Sequence, residues 1–182
     1  VTQDTWRRSY IAPSYNWGDT KRALPLQILS QVLGGRATSR FYRDMVVERQ
    51  IAVQASAFYS ATDVGPSQFF LFAIPRGETT LDDIEARMDA LVADVLENGI
   101  TQDELDRTKR FLLAQSVYAR DNVQGAARIF GEALTNGRTT DDVESWPDRI
   151  QRVTLDEVNA AARQVFDKKL SVTGLLRAGK AS

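Results

Sequence analysis

The stretch GGRATSRFYRDMVVERQIAV, Gly34 to Val53, is where the chain changes from helical to strand patterning. Before it, ALPLQILSQVL (Ala23 to Leu33) has the apolar density of a helix packed against a core. Pro25 limits where that helix begins, because proline fits only its first turn. Gly34-Gly35 read as its end, since glycine enters the left-handed region without penalty. From Thr38 to Glu48 a second short helix is predicted, with Thr38 or Ser39 as its cap. At Ile51 the pattern becomes that of a strand.

Working outward, Thr5 to Ala12 (TWRRSYIA) sets Trp6, Arg8 and Tyr10 against Arg7, Ser9 and Ile11, a strand ended by Pro13. Ile51 to Ser60 and Gln68 to Ile74 are two more strands, joined by a hairpin-type loop that breaks at Gly65-Pro66. The first carries the small residues Ala52, Ala55 and Ala57. The second, QFFLFAI, reads as a strand covered on both faces, with Phe69, Phe70 and Phe72 in the core. Trp6, Trp17 and Trp146 read as packing residues.

Helices follow. Leu81, Ile84, Met88, Leu91, Val92 and Val95 share one stripe, stopped by Asn98-Gly99. Thr101 to Glu104 and Thr154 to Glu157 are capping boxes, in which the threonine hydroxyl and the glutamate each satisfy a free backbone N–H. Val123, Ala126, Ala127, Phe130 and Leu134 mark a further helix ended by Asn136-Gly137. Pro147 breaks a short helical segment, and Leu170 to Leu176 is a last strand before the tail RAGKAS. The order is strand, two helices, two strands, four or five helices, strand. It predicts one α+β domain over residues 1–182, a mostly antiparallel sheet with helices packed on one face.

Composition removes several function classes. The 182 residues include 23 Lys and Arg against 24 Asp and Glu, which leaves no basic footprint for nucleic acid or an anionic membrane. No apolar run is long enough to span a bilayer. With no histidine and no cysteine, a histidine zinc site, a thiolate metal site, a disulfide and a Ser–His or Cys–His nucleophile are all excluded. A carboxylate-only Mg²⁺ or Ca²⁺ site is compatible with the composition, but Asp82-Asp83 and Asp141-Asp142 stand at helix starts, where acids favour the dipole. Lys109, inside RTKR, reads as a solvated helix face. The chain begins Val1-Thr2, and is expected to be a piece of a longer protein.

Five segments in collinear order resemble the insulinase/pitrilysin-type zinc metallopeptidases. VLGGRATSRFYRDMVVERQIAV is similar to that family's glycine-rich turn and the strand after it. RSYIAPSY, FFLFAIPRGETT, NGITQDELDRTKRFL and RIQRVTLDEVNAAARQVF resemble, in turn, an opening strand, a strand and helix start, and two helices. The resemblance covers nearly the whole chain and points to the second, metal-free half-domain of a bacterial processing-peptidase-like protein. It implies a partner half carrying zinc on His-x-x-Glu-His, on the same chain or a paired subunit. The two halves would close on a short or unfolded peptide, with zinc as cofactor only in the other half. It also favours the periplasm over the cytoplasm.

Many members contact substrate through an arginine and, seven residues later, a tyrosine of this half. The alignment puts Val46 and Val53 at those positions. Valine donates no hydrogen bond to a carbonyl or a developing oxyanion. Arg43 and Arg49, which flank the pair, are the candidates to replace it. Two functions remain: the substrate-enclosing, non-catalytic half of a zinc metalloendopeptidase, or a scaffold or inactive partner that has lost catalysis. Either way the isolated domain is expected to expose the surface that faces its partner half, and to self-associate as a homodimer through it.

Overall fold

The computed structural model describes residues 3–121 and 123–179, without the side chains of 120, 121 and 123. The expectations for Val1-Thr2, the Val123 side chain and residues 180–182 lie outside the described residues. Strands β1 (Thr5–Ala12), β2 (Ala52–Tyr59), β3 (Ser67–Pro75) and β4 (Ser171–Leu176) form one antiparallel sheet in the order β2-β3-β1-β4. The helices are α1 (Ala23–Gly34), α2 (Leu81–Asn98), α3 (Gln102–Asp121), α4 (Val123–Thr135), α5 (Thr140–Glu144), α6 (Trp146–Arg152) and α7 (Leu155–Val165). This is the α+β architecture expected from the element order.

Strand alternation puts Trp6, Tyr10, Ala55, Ala57, Phe69, Leu71 and Ala73 on the buried face. There α1, α2 and α7 pack on the strands. Arg8 lies on the same face and is only 1 % exposed. Its guanidinium donates to Glu85 Oε1 at 2.5 Å, to Asp89 Oδ1 and to Thr173 Oγ1 at 2.8 Å. A buried cation needs such partners, because desolvation otherwise costs several kcal/mol. Arg8 therefore bolts β1 to both α2 and β4.

The opposite face of the sheet carries no helix among the described residues. In register across it run Phe58, Phe70, Ser9 and Val172, then Ser56, Phe72, Arg7 and Gly174. This corrects the expectation for β3: only Phe69 is core, while Phe70 and Phe72 point to the open face and are half-buried. Phe70 is shielded in part by Arg7, whose guanidinium carbon lies 4.2 Å from the ring centroid. Trp17 also departs from the packing role predicted for it, at 42 % exposed.

The opening stretch folds differently from the simple reading in two respects. Neither Gly34 nor Gly35 has positive φ; the glycines that do are Gly18, Gly77, Gly99 and Gly137. Gly34 is small because α1 presses on β2: a Cβ there would stand 1.7 Å from the Ala57 amide nitrogen. The second helix is not an ordinary capped α-helix either. Tyr42–Glu48 is π-helical, and Arg49 N–H reaches Asp44 O five residues back at 2.8 Å. No side chain caps it, and Ser39 Oγ is buried without a partner. Gln50, two residues past the segment's end, has φ 55°.

The acidic helix starts are caps. Asp83 and Asp142 accept the backbone N–H of Thr80 and Thr139, and Glu104 and Glu157 do the same for Thr101 and Thr154. Pro147 opens α6. Lys109 is tied rather than simply solvated: its Nζ donates to Gln151 O at 2.9 Å, joining α3 to α6. On α4 the inward residues are Ala126, Ile129, Phe130 and Ala133, whereas Ala127 and Leu134 point outward.

Candidate functional site

Arg43 and Val46 lie in the π-helical segment, Arg49 directly after it and Val53 on β2. Val46 is in the core at 8 % exposure, and Val53 is 44 % exposed at the start of β2. Arg43 stands outward, 61 % exposed, with Glu48 at 3.4 Å. It lines a cleft with Arg40 and Arg107, while Arg49 lines an adjoining groove with Ile51; Arg87 and Ala90 border both. Between them Asp44 accepts from Arg49 at 3.3 Å and from both arms of Arg87, with Nε at 2.7 Å. Burial pushes the Asp44 carboxyl up, but these arginines outweigh it and hold it below the usual carboxylate range.

Arg40 carries a role that the sequence reading missed. Its Nε and Nη2 donate to Glu104 at 2.7 Å each, Nη2 also reaches Gly99 O at 2.9 Å, and Nη1 reaches Asp94 at 3.2 Å. The stretch that leaves α1 is thereby pinned to the α2–α3 turn. Glu104 is shared with the α3 capping box, so its place at the third position of that box was the one signal available.

A more apolar cavity lies elsewhere, between α1, α3, α4 and the α5–α6 corner, with a volume of about 340 Å³. Tyr15, Leu112, Ile129, Phe130, Val143 and Trp146 give it apolar walls, and Gln27, Ser30 and Gln31 present one face of α1 to it. Gln27 Oε1 accepts from Tyr15 Oη at 3.2 Å and Trp146 Nε1 at 3.1 Å. Burial pushes the Tyr15 hydroxyl up, which keeps it protonated as a donor. Arg138 also lines it, its guanidinium carbon 4.2 Å from the Tyr15 ring centroid.

The zinc implied by the resemblance does not fit the residues of this domain. There is no histidine or cysteine in the chain, and no cluster of three or more acidic side chains among the described residues could hold a cation. No helix among the described residues is long and apolar enough to cross a membrane.

An antiparallel sheet with helices on one face and a glycine-rich turn under β2 define an α+β domain, with no metal-ligand cluster among the described residues. The chain belongs to the peptidase M16 inactive domain family, whose model matches residues 7–112. It is 28 % identical over 165 residues to the uncharacterized zinc protease SCO5738 of Streptomyces coelicolor, covering 89 % of this chain and 35 % of that protein. Among solved structures, a protease from Helicobacter pylori superposes with a TM-score of 0.89 at 20 % identity, covering 98 % of this chain and 42 % of that one. The inactive peptidase domain from Bordetella parapertussis superposes at 0.87 with 15 % identity, covering 100 % of this chain and 94 % of that one. At these identities the two structures speak for the fold. The chain spans about a third of the length of its Streptomyces relative.

Proposed function

We propose that this domain is the substrate-enclosing, non-catalytic half of a zinc-dependent metalloendopeptidase acting on short or unfolded peptides. The observation that carries the proposal is the family membership, joined to a donor set that cannot hold zinc. Zinc and hydrolysis belong, in this reading, to an N-terminal half on the same chain or a paired subunit. The open sheet face is the surface offered to that half: Phe58 is 63 % and Val172 74 % exposed in the middle of it. Arg43 and Arg49, in adjoining clefts, are the candidates to touch the peptide in place of the family's arginine and tyrosine. The periplasm is the favoured compartment. The test is cleavage of a quenched unstructured peptide by the full-length gene product, beside this chain alone. Chelator-sensitive cleavage by the long form only is the expected result.

A second reading rests on one observation. Val46, at the position of the family's substrate arginine, is sealed in the core. A domain that no longer reaches substrate there fits a scaffold or inactive partner. Absence of cleavage by the long form, with no zinc retained, would establish that reading instead.

A further inference from the structure

We propose that the cavity between α1, α3 and α4 binds an apolar group joined to a carboxylate. That is the chemistry of a hydrophobic peptide C-terminus or of a free aryl or alkyl carboxylate. The inference concerns this domain by itself and does not depend on the cleavage reading above.

Three features carry it. The cavity measures about 340 Å³, and its walls are mainly aromatic and aliphatic, the size and lining of a small-ligand site. The Gln27 amide is held in one orientation. Trp146 Nε1 is a donor only, so the atom facing it is the Gln27 oxygen, and Tyr15 Oη reaches the same oxygen. Gln27 Nε2 keeps two N–H groups with no acceptor among the described residues. The third feature is the charge of Arg138. Its Nη2 donates to the Asp142 backbone oxygen at 3.1 Å, and it forms no ion pair among the described residues. The Asp142 carboxylate is held in the α5 cap and by Arg149 at 3.3 Å, and attracts Arg138 only from beyond ion-pair distance.

A cation and a fixed amide donor thus both line an otherwise largely apolar chamber, and each rests against Tyr15. An anion that drags an apolar group in with it satisfies both, since charge-assisted bonds from guanidinium to carboxylate are the strong ones. A neutral apolar ligand would leave the Gln27 N–H groups covered and unpaired, which costs binding.

The experiment titrates the 182-residue chain with N-acetyl-leucyl-phenylalanine, with its C-terminal amide and with 3-phenylpropionate, following the Trp146 indole N–H by NMR and the heat by calorimetry. The free acid is expected to bind and to shift the indole, and the amide to bind about tenfold more weakly or worse. Arg138→Met is expected to erase that difference. Ala126→Phe, which fills the chamber from α4, is expected to abolish binding with unchanged circular dichroism and melting. Should Arg138→Met fail to fold, the acid–amide comparison on the unaltered chain decides alone. Equal affinity for acid and amide, undiminished binding by folded Ala126→Phe, or no binding of any probe overturns the proposal. Phenylpropionate binding as tightly as the dipeptide identifies a small-molecule site; binding of the dipeptide alone identifies a chain terminus.

Discussion

Gly34 and Ala57 are in backbone contact: where Gly34 would carry a side chain, the Ala57 amide nitrogen is 1.7 Å away. Helix α1 can lie this close to β2 only because the helix offers no side chain there and the strand offers alanine. Gly34→Ala is therefore expected to cost about 3 kcal/mol or more, since a strand backbone cannot yield as a flexible side chain would. Gly65→Ala, with nothing within 4 Å of its added methyl group, should shift stability by less than about 0.5 kcal/mol. Urea midpoints of the two variants measure the contrast, and equal midpoints would refute the close-approach account.

Gly131 sits inside α4 with open space where a Cβ would stand. Glycine in a helix interior costs backbone entropy that alanine does not. Gly131→Ala should stabilise the chain by about 0.5–1 kcal/mol, read as a rise in Tm. A fall would mean that α4 uses the glycine for a contact or a bend.

Placing arginine at Val46 and tyrosine at Val53 separates core from surface. Val46→Arg buries an unpaired cation and should cost about 3 kcal/mol or more. Val53→Tyr, on a half-exposed strand position, should stay within about 0.5 kcal/mol. Thermal melts of both settle it; a stable Val46→Arg protein would mean that the π-helical segment can turn this position outward.

Acid should weaken the fold through the arginine-held carboxylates. Burial pushes Asp89 up, but bonds from Lys168 and Arg8 outweigh it and leave the carboxyl below its ordinary value. Asp44 behaves in the same way. A carboxyl with a depressed folded pKa adds stability above its unfolded value, about 3.9, and loses it as pH falls toward the folded one. Urea midpoints should be flat above about pH 5 and fall below about pH 4. Arg8→Met should lower the midpoint at neutral pH by about 2–4 kcal/mol equivalent and flatten the acid limb. An unchanged acid limb would remove Asp89 as a source of it.

The open sheet face predicts self-association of the isolated chain. Phe58→Asp and Val172→Asp alter residues at 63 % and 74 % exposure, so folding should be kept while any dimer seen by sedimentation velocity is lost. A strictly monomeric unaltered chain would contradict this.

Local patterning made most of the elements legible. Alternation in Thr5–Ala12, the stripe from Leu81 to Val95 and the threonine capping boxes each act within a few residues, and all appear in the structure. Composition by itself excluded a histidine or thiolate metal site in this domain. What the tertiary structure decided lies between elements distant in the chain. Periodicity shows that Phe70 and Phe72 share a face but not that no helix among the described residues covers it. A glycine pair after a helix reads as a left-handed cap, whereas Gly34 answers to a strand more than 20 residues later. The cavity formed by Gln27, Trp146 and Arg138 has no sequence signal, because its donors meet across more than 100 residues. Short-range hydrogen bonding and periodicity are written into neighbouring residues; close approach, burial and charge pairing depend on which surfaces the fold brings together.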